Sequence, residues 1–173
     1  MIFRIFLTSI IIFFSFSAFS ANIRVLDFQK IIDNNATISL LYEQISKDQQ
    51  PHRQKFKNEE LNLQKELERI EKLKLILETS EFQKEINNYN IQLNNFNDQI
   101  EKFNLHYDLQ IKNHKNKIID KILEVLRKYS EDNQIDLVLD SKNYILSSNS
   151  INITDLIEEQ VNKKKIEINF EKY

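Results

Sequence analysis

Three histidines, His52, His106 and His114, are the side chains of this sequence best suited to hold a metal or pass a proton. None stands at a ligand spacing from a second histidine, and such pairs are what build zinc sites. They are read as solvated side chains, and no metal is expected. Asp27, Asp136 and Asp140 border short β-branched runs and could meet in the fold. A general acid–base pair needs a pocket that tunes it, and no nucleophile accompanies these three. They are read as turn and solvent-facing groups. Lys163-Lys164-Lys165 reads as cationic charge at a helix C-terminus, where the dipole favours it.

What is missing narrows the chemistry further. The 173 residues contain no Gly and no Cys. Without Gly there is no phosphate-cradling loop of the Walker or dinucleotide type. Without Cys there is no disulfide, thiol nucleophile or thiolate metal site. The formal net charge of -2 gives no basic face of the kind nucleic acids require. The chain is therefore read as a non-enzyme with no catalytic residue, no cofactor, no nucleotide and no nucleic-acid partner.

The elements are long and few, as expected from a single Pro and no Gly. Residues 1–20 read as a cleaved secretory signal: Arg4, an apolar run from Ile5 to Phe14, then Ala18-Phe19-Ser20 before Ala21. The apolar run falls short of the roughly 20 residues that cross a bilayer comfortably. Export to the periplasm is the expected destination. Ile23 to Asp27 reads as a strand and Phe28 to Asp33 as a short helix, broken at Asn34-Asn35.

Helix-favouring sequence then runs from Ala36 to Asp132, too long for one helix of a compact domain. In its first part Phe56, Leu63, Ile70 and Leu77 stand seven apart, with Glu or Lys at several other seam positions, which makes a weak coiled coil. In its second part Phe82, Ile86, Tyr89, Leu93, Phe96, Ile100, Phe103 and Tyr107 alternate steps of four and three. Two successive fours, through Tyr107 to Ile111, mark a stutter that unwinds the supercoil locally. Phe82, Phe96 and Phe103 are read as packing between the two arms. The tip is expected near Glu78 to Ser80, with Ser80 and Gln83 forming a capping box. Pro51 is expected to kink the first arm as a hinge, a local loop being the alternative.

After Asn133, expected as a left-handed cap, Ile135 to Asp140 reads as a strand and Tyr144 to Ser148 as a second one, joined by a turn at Ser141 to Asn143. Asn152 should cap a last helix from Ile153 to about Lys164. The tail from Ile166 to Tyr173 is either an extra strand or frayed. The fold class is α+β, mostly α. A body of residues 21–35 and 133–165 carries a long antiparallel coiled-coil hairpin of residues 36–132.

Four body segments carry a family resemblance. Asn133-Gln134-Ile135-Asp136-Leu137-Val138-Leu139-Asp140 is similar to the D-I-D-L-V-V-D strand of the Skp/OmpH family of periplasmic chaperones. Tyr144 to Asn149 resembles that family's Y-x-x-S segment. Asn152-Ile153-Thr154-Asp155 resembles its D-I-T helix start, and Ile23 to Asp27 its opening strand. The resemblance implies a homotrimer whose hairpins surround a cavity. Unfolded outer-membrane proteins would be held there without ATP and passed on to the barrel-assembly machinery. Family members often have strongly basic arms. Here residues 51–115 hold eleven cations and eleven anions, so a lipopolysaccharide site does not carry over, and long-range attraction of acidic clients should be weak.

Elementary physics also favours self-association, because a body this small buries too little surface to be robust alone. Ile23, Val25, Ile135, Leu137, Leu139, Tyr144 and Leu146 are the candidates for the body and its trimer contacts. Leu61, Leu75 and Ile76 on the first arm, with Ile91, Leu105 and Leu109 on the second, fall off the seam and are the candidates for client contact. A holdase for unfolded barrel precursors is the reading these features favour. An exported coiled-coil spacer or adaptor of an envelope complex is the alternative.

Overall fold

The structure of the chain is a computed structural model that describes residues 20–173. The expected signal sequence lies, but for Ser20, outside the described residues. The element order is β1 (Ile23–Leu26), α1 (Phe28–Asp33), α2 (Ala36–Leu73), α3 (Thr79–Asp132), β2 (Leu137–Asp140) and α4 (Thr154–Asn162), with single 3-10 turns at Ser141–Asn143 and Asn149–Ile151.

Side chains fix the helix starts. Asp27 accepts from the Lys30 amide at 2.9 Å and caps α1. Asn35 is buried, caps α2 through the Thr37 amide at 3.0 Å, and donates to Asn162 Oδ1 at 3.1 Å. One asparagine thus starts α2 and ties it to α4, while its neighbour Asn34 ends α1. At α4, Asn152 Oδ1 takes the Thr154 amide at 2.9 Å and the Thr154 hydroxyl at 2.7 Å. The N-cap is Ile153 rather than the expected Asn152, which supports the first turn from one residue before it, and the helix is shorter than foreseen.

The two arms are α2, 38 residues, and α3, 54 residues. At 1.5 Å per residue α3 is about 80 Å long. Helix α2 runs through Pro51 without a break, so the loop alternative is not what occurs. Pro51 is exposed, where the carbonyl it leaves without a partner can be hydrated. The turn between the arms lies at residues 74–78, slightly before the expected tip. Ser80 does not cap. The first turn of α3 closes through backbone alone, the Glu81 and Phe82 amides donating to the Glu78 carbonyl at 3.0 and 2.9 Å.

The end of α3 needs a left-handed residue, and this glycine-free chain uses Gln134 (φ 51°) rather than the expected Asn133. The Ile135 amide reaches back to the Ser130 carbonyl at 3.0 Å and the Gln134 amide to that of Glu131 at 3.4 Å. That is the Schellman pattern, whose special conformation falls one residue after the cap. Asn22 holds the cap closed, its Nδ2 donating to the Asn133 and Gln134 carbonyls at 2.9 Å each. Ile135 is consumed by this cap instead of joining the strand.

The sheet has two strands, not three. β1 and β2 pair in parallel, with Ile23 opposite Leu137 and Leu26 opposite Asp140. Parallel neighbours need a crossover, and the whole hairpin supplies it. The expected strand at Tyr144 to Ser148 does not form; Ile145 and Leu146 stand fully or nearly fully exposed. The chain returns instead to the other edge of β1, where the Ile153 amide donates to the Val25 carbonyl at 2.9 Å. Leu26 and Val138 face one core built from Ile31, Ile38, Leu41, Ile118, Ile122, Ile157 and Val161. The roots of both arms belong to that core.

Candidate functional site

Three surfaces of this fold carry features that local folding alone does not account for. The first is the flank of the hairpin. Leu61, Ile91, Leu105 and Leu109 are about half exposed, and Leu75 and Ile76 at the tip are 92% and 77% exposed. All six residues expected off the seam are therefore in solvent. Leu105 and Leu109 stand one turn apart on α3, on the same side of the helix. Leu40, Tyr42 and Leu123 are also exposed, nearer the body.

The second surface is the outer face of the sheet. In a parallel pair, residues in register share a face, so Ile23, Val25, Leu137 and Leu139 point away from the core side that holds Leu26 and Val138. Val25 is buried, whereas Ile23 and Leu137 stay open and Leu139 is half-buried. Tyr144 is half-buried and Leu146 exposed. No further strand pairs with the open edge of β2 among the described residues.

The third surface is a seat for the chain's own tail. Residues 166–173 form neither a strand of the sheet nor a frayed end. They run extended along the hairpin, with Ile166, Ile168 and Phe170 half-buried and Glu167, Asn169 and Glu171 exposed between them. His114, expected in solvent, is 3% exposed. Its Nδ1 lies 2.9 Å from the Gln110 carbonyl, which can only accept. The ring therefore carries its proton on Nδ1 and presents a bare Nε2, which takes the Asn169 amide at 3.2 Å. Gln110 lies buried in the seam, accepting from the Glu171 amide and donating to the Glu171 carbonyl, both at 2.8 Å. His106 Nε2 is 2.9 Å from the same carbonyl.

Asp48 Oδ2 receives the Tyr173 amide at 3.0 Å and the Tyr107 hydroxyl at 2.7 Å. Burial pushes the Asp48 carboxyl up, but these two donors, with His52 and Lys172 nearby, outweigh it and hold the group below its ordinary value. Burial, followed by the bond to Asp48, drives the Tyr107 hydroxyl well above the usual tyrosine range. The Tyr173 ring meets His52 and Phe103 edge-on at 5.2 and 5.3 Å between centroids. All three histidines are thus placed against the tail or its aromatic neighbours.

The polar candidates of the body are structural. Asp140 accepts from the Phe28 amide at 3.2 Å, and Asp136 from the Asn22 amide at 2.7 Å. With Asp27 capping α1, each aspartate splices two segments rather than facing a pocket. Of the lysine run, Lys163 pairs with Glu159 at 2.6 Å and Lys164 with Glu124 at 3.6 Å. No cluster of three or more His, Cys, Asp or Glu side chains suited to a metal occurs among the described residues. No described helix is long and apolar enough to cross a membrane.

With the geometry in place, kinship can be read. The outer membrane protein (OmpH-like) family matches residues 22–161. The chain belongs to the OmpH-like family. An OmpH-like outer membrane chaperone from Caulobacter crescentus CB15 has a solved structure similar to this one, with a TM-score of 0.67 at 8% identity, over 88% of this chain and 90% of that one. At that identity the likeness concerns the fold. No curated protein matches the chain. For this OmpH-like chain the match ends at Val161, within the last turn of α4, and the tail lies beyond it.

Proposed function

We propose that this OmpH-like chain is a periplasmic, ATP-independent holdase chaperone that keeps unfolded outer-membrane β-barrel proteins from aggregating until they are assembled. One observation carries the reading: six apolar side chains stand in solvent along a thin hairpin, from its tip to past the middle of its length. Such a surface offers many weak, adaptable contacts and needs no fixed client sequence. Isolated exposed leucines are ordinary on a globular protein. A two-helix arm gives each of them far more reach than a globule would. Family membership supports the same role, and the solved relative bears a chaperone's name.

Self-association completes the proposal. Ile23, Leu137 and Leu146 leave apolar surface on the outer side of the body, and the edge of β2 is open. Uncovered edges invite pairing with another chain. A closed homotrimer joined there would place three hairpins around a common space, with Pro51 as the point where each arm flexes. Handover to the barrel-assembly machinery would follow from release of the client.

The test is light scattering of a urea-denatured porin diluted into buffer without nucleotide. Roughly one trimer per client should suppress the rise, and Leu75→Ser with Ile76→Ser should weaken suppression while leaving helicity unchanged. A porin that precipitates as fast with the protein as without it would sink the holdase and leave the envelope-spacer reading. Mass measurement in solution tests the trimer separately.

A further inference from the structure

We infer that the tail's seat is a binding site for extended polypeptide of alternating polarity, and that residues 166–173 fill it as a tethered stand-in which a client segment displaces. This inference rests on the holdase reading and gives it an address.

The seat recognises backbone. Amides of Asn169, Glu171 and Tyr173, every second residue, are taken by His114 at 3.2 Å, Gln110 at 2.8 Å and Asp48 at 3.0 Å. Gln110 also donates to the Glu171 carbonyl at 2.8 Å. A strand advances about 6.6 Å in two residues and a helix about 6 Å in four. Acceptors four apart on α3, His114 and Gln110, therefore meet alternate amides of an antiparallel strand with little mismatch. None of these bonds depends on which side chain the strand carries.

The intervening residues supply the second criterion. Ile166, Ile168 and Phe170 turn toward the core while Glu167, Asn169 and Glu171 turn away. The seat thus demands apolar residues at every second position. Membrane-spanning β-strands have that same two-residue alternation. It differs from the helical spacing that binds the two arms together.

Burial makes this a built site. Gln110 and His114 are polar residues sunk in an otherwise apolar seam, at 9% and 3% exposure, and their polar groups point at the tail. The site also continues past the tail. Phe103 touches the Tyr173 ring on one side and on the other lines an open cleft with Phe56, Phe96 and Ile100. A longer extended segment would run on into it.

Tethering gives the tail an effective concentration in the millimolar range, so short peptides should compete poorly until it is released. Fluorescence anisotropy with a labelled peptide of residues 164–173 reads this directly on the full chain. Ile168→Asp with Phe170→Asp frees the tail and leaves the seat intact. This variant should bind the peptide at least about tenfold more tightly than the parent. Gln110→Leu on that background should remove the gain, and a peptide of the same composition in scrambled order should not bind.

If the double variant fails to keep its helicity, Phe170→Asp alone replaces it, with a smaller gain in the same direction. In the unsubstituted protein, adding denatured porin should speed hydrogen exchange at the Asn169 and Glu171 amides. Equal peptide affinity for parent and released variants, or unchanged exchange while porin aggregation is still suppressed, overturns the seat and leaves the holdase standing. Peptide binding without suppression of porin aggregation does the reverse.

Discussion

The two halves of the hairpin share one helical seam and differ sharply in burial. Near the body, Ile38, Leu41, Ile45, Ile118, Ile122 and Val125 are all at most 5% exposed. Toward the tip only Leu63, Ile70 and Phe96 reach burial, and Phe82, Ile86, Tyr89 and Leu93 remain half-covered. The difference is a third layer. Helices α1 and α4 and the tail lie over the proximal seam, whereas the distal arms have only each other. Two helices share one stripe of contact, and the sides of each seam residue stay wet unless something else covers them. The distal arms add an ionic clamp instead, Arg69 reaching Glu66 on its own helix and Glu85 across the turn. With all three side chains partly exposed, such a clamp is worth little.

This contrast can be broken by cutting either half. The largest effect is expected from Ile118→Ala, which opens a cavity where three layers meet. It should cost about 3–4 kcal/mol, read as a lowered urea midpoint for the whole chain. Ile70→Ala removes an equally buried side chain from the two-layer half. A loss of about 2 kcal/mol is expected there, because the arms can close over the gap. It should appear as faster hydrogen exchange between residues 60 and 90, with the global midpoint barely moved. If both substitutions shift the global transition equally, the hairpin is one cooperative unit and the contrast fails.

The smallest effect sharpens the boundary between the halves. The Asp48 carboxyl is held below its ordinary value of 3.8, so its contribution is present above that value and is lost as pH falls through the lower folded one. Acidification from about pH 5 to about 2 should therefore loosen the Tyr173 end of the tail selectively, seen as exchange broadening of the Tyr173 amide resonance. Asp48→Asn should remove that pH dependence.

Much of this architecture was legible because it is periodic or punctuated. The four–three rhythm from Phe82 to Tyr107 required a second arm, and Asn34-Asn35 required a break. What could not be read was set by partners distant in sequence. Tyr144 to Ser148 has strand composition, but β1 gives its free edge to Ile153. Ser80 looks like a cap, yet the chain turns before it. Gln110 is hidden from the spacing because Ile111 beside it continues the apolar steps from Tyr107. Its partner, the tail, is about sixty residues away. His114 reads as solvated because no second histidine stands at a ligand spacing from it, and its partner Asn169 is equally distant in sequence. The six off-seam apolar residues were legible, because exposure on a regular helix follows from spacing alone.

The parallel pairing of β1 with β2 orders the events of folding. Asn22 bonds to Asp136 across 114 residues of sequence, and closing so long a loop from a random coil carries an entropic toll that slows it. Once the arms have zipped from the turn at residues 74–78 upward, Ala36 and Asp132 stand near each other and the ends need only dock. Sheet closure is therefore expected last, after the barrier. Leu26→Ala should accelerate unfolding and leave the refolding rate almost untouched.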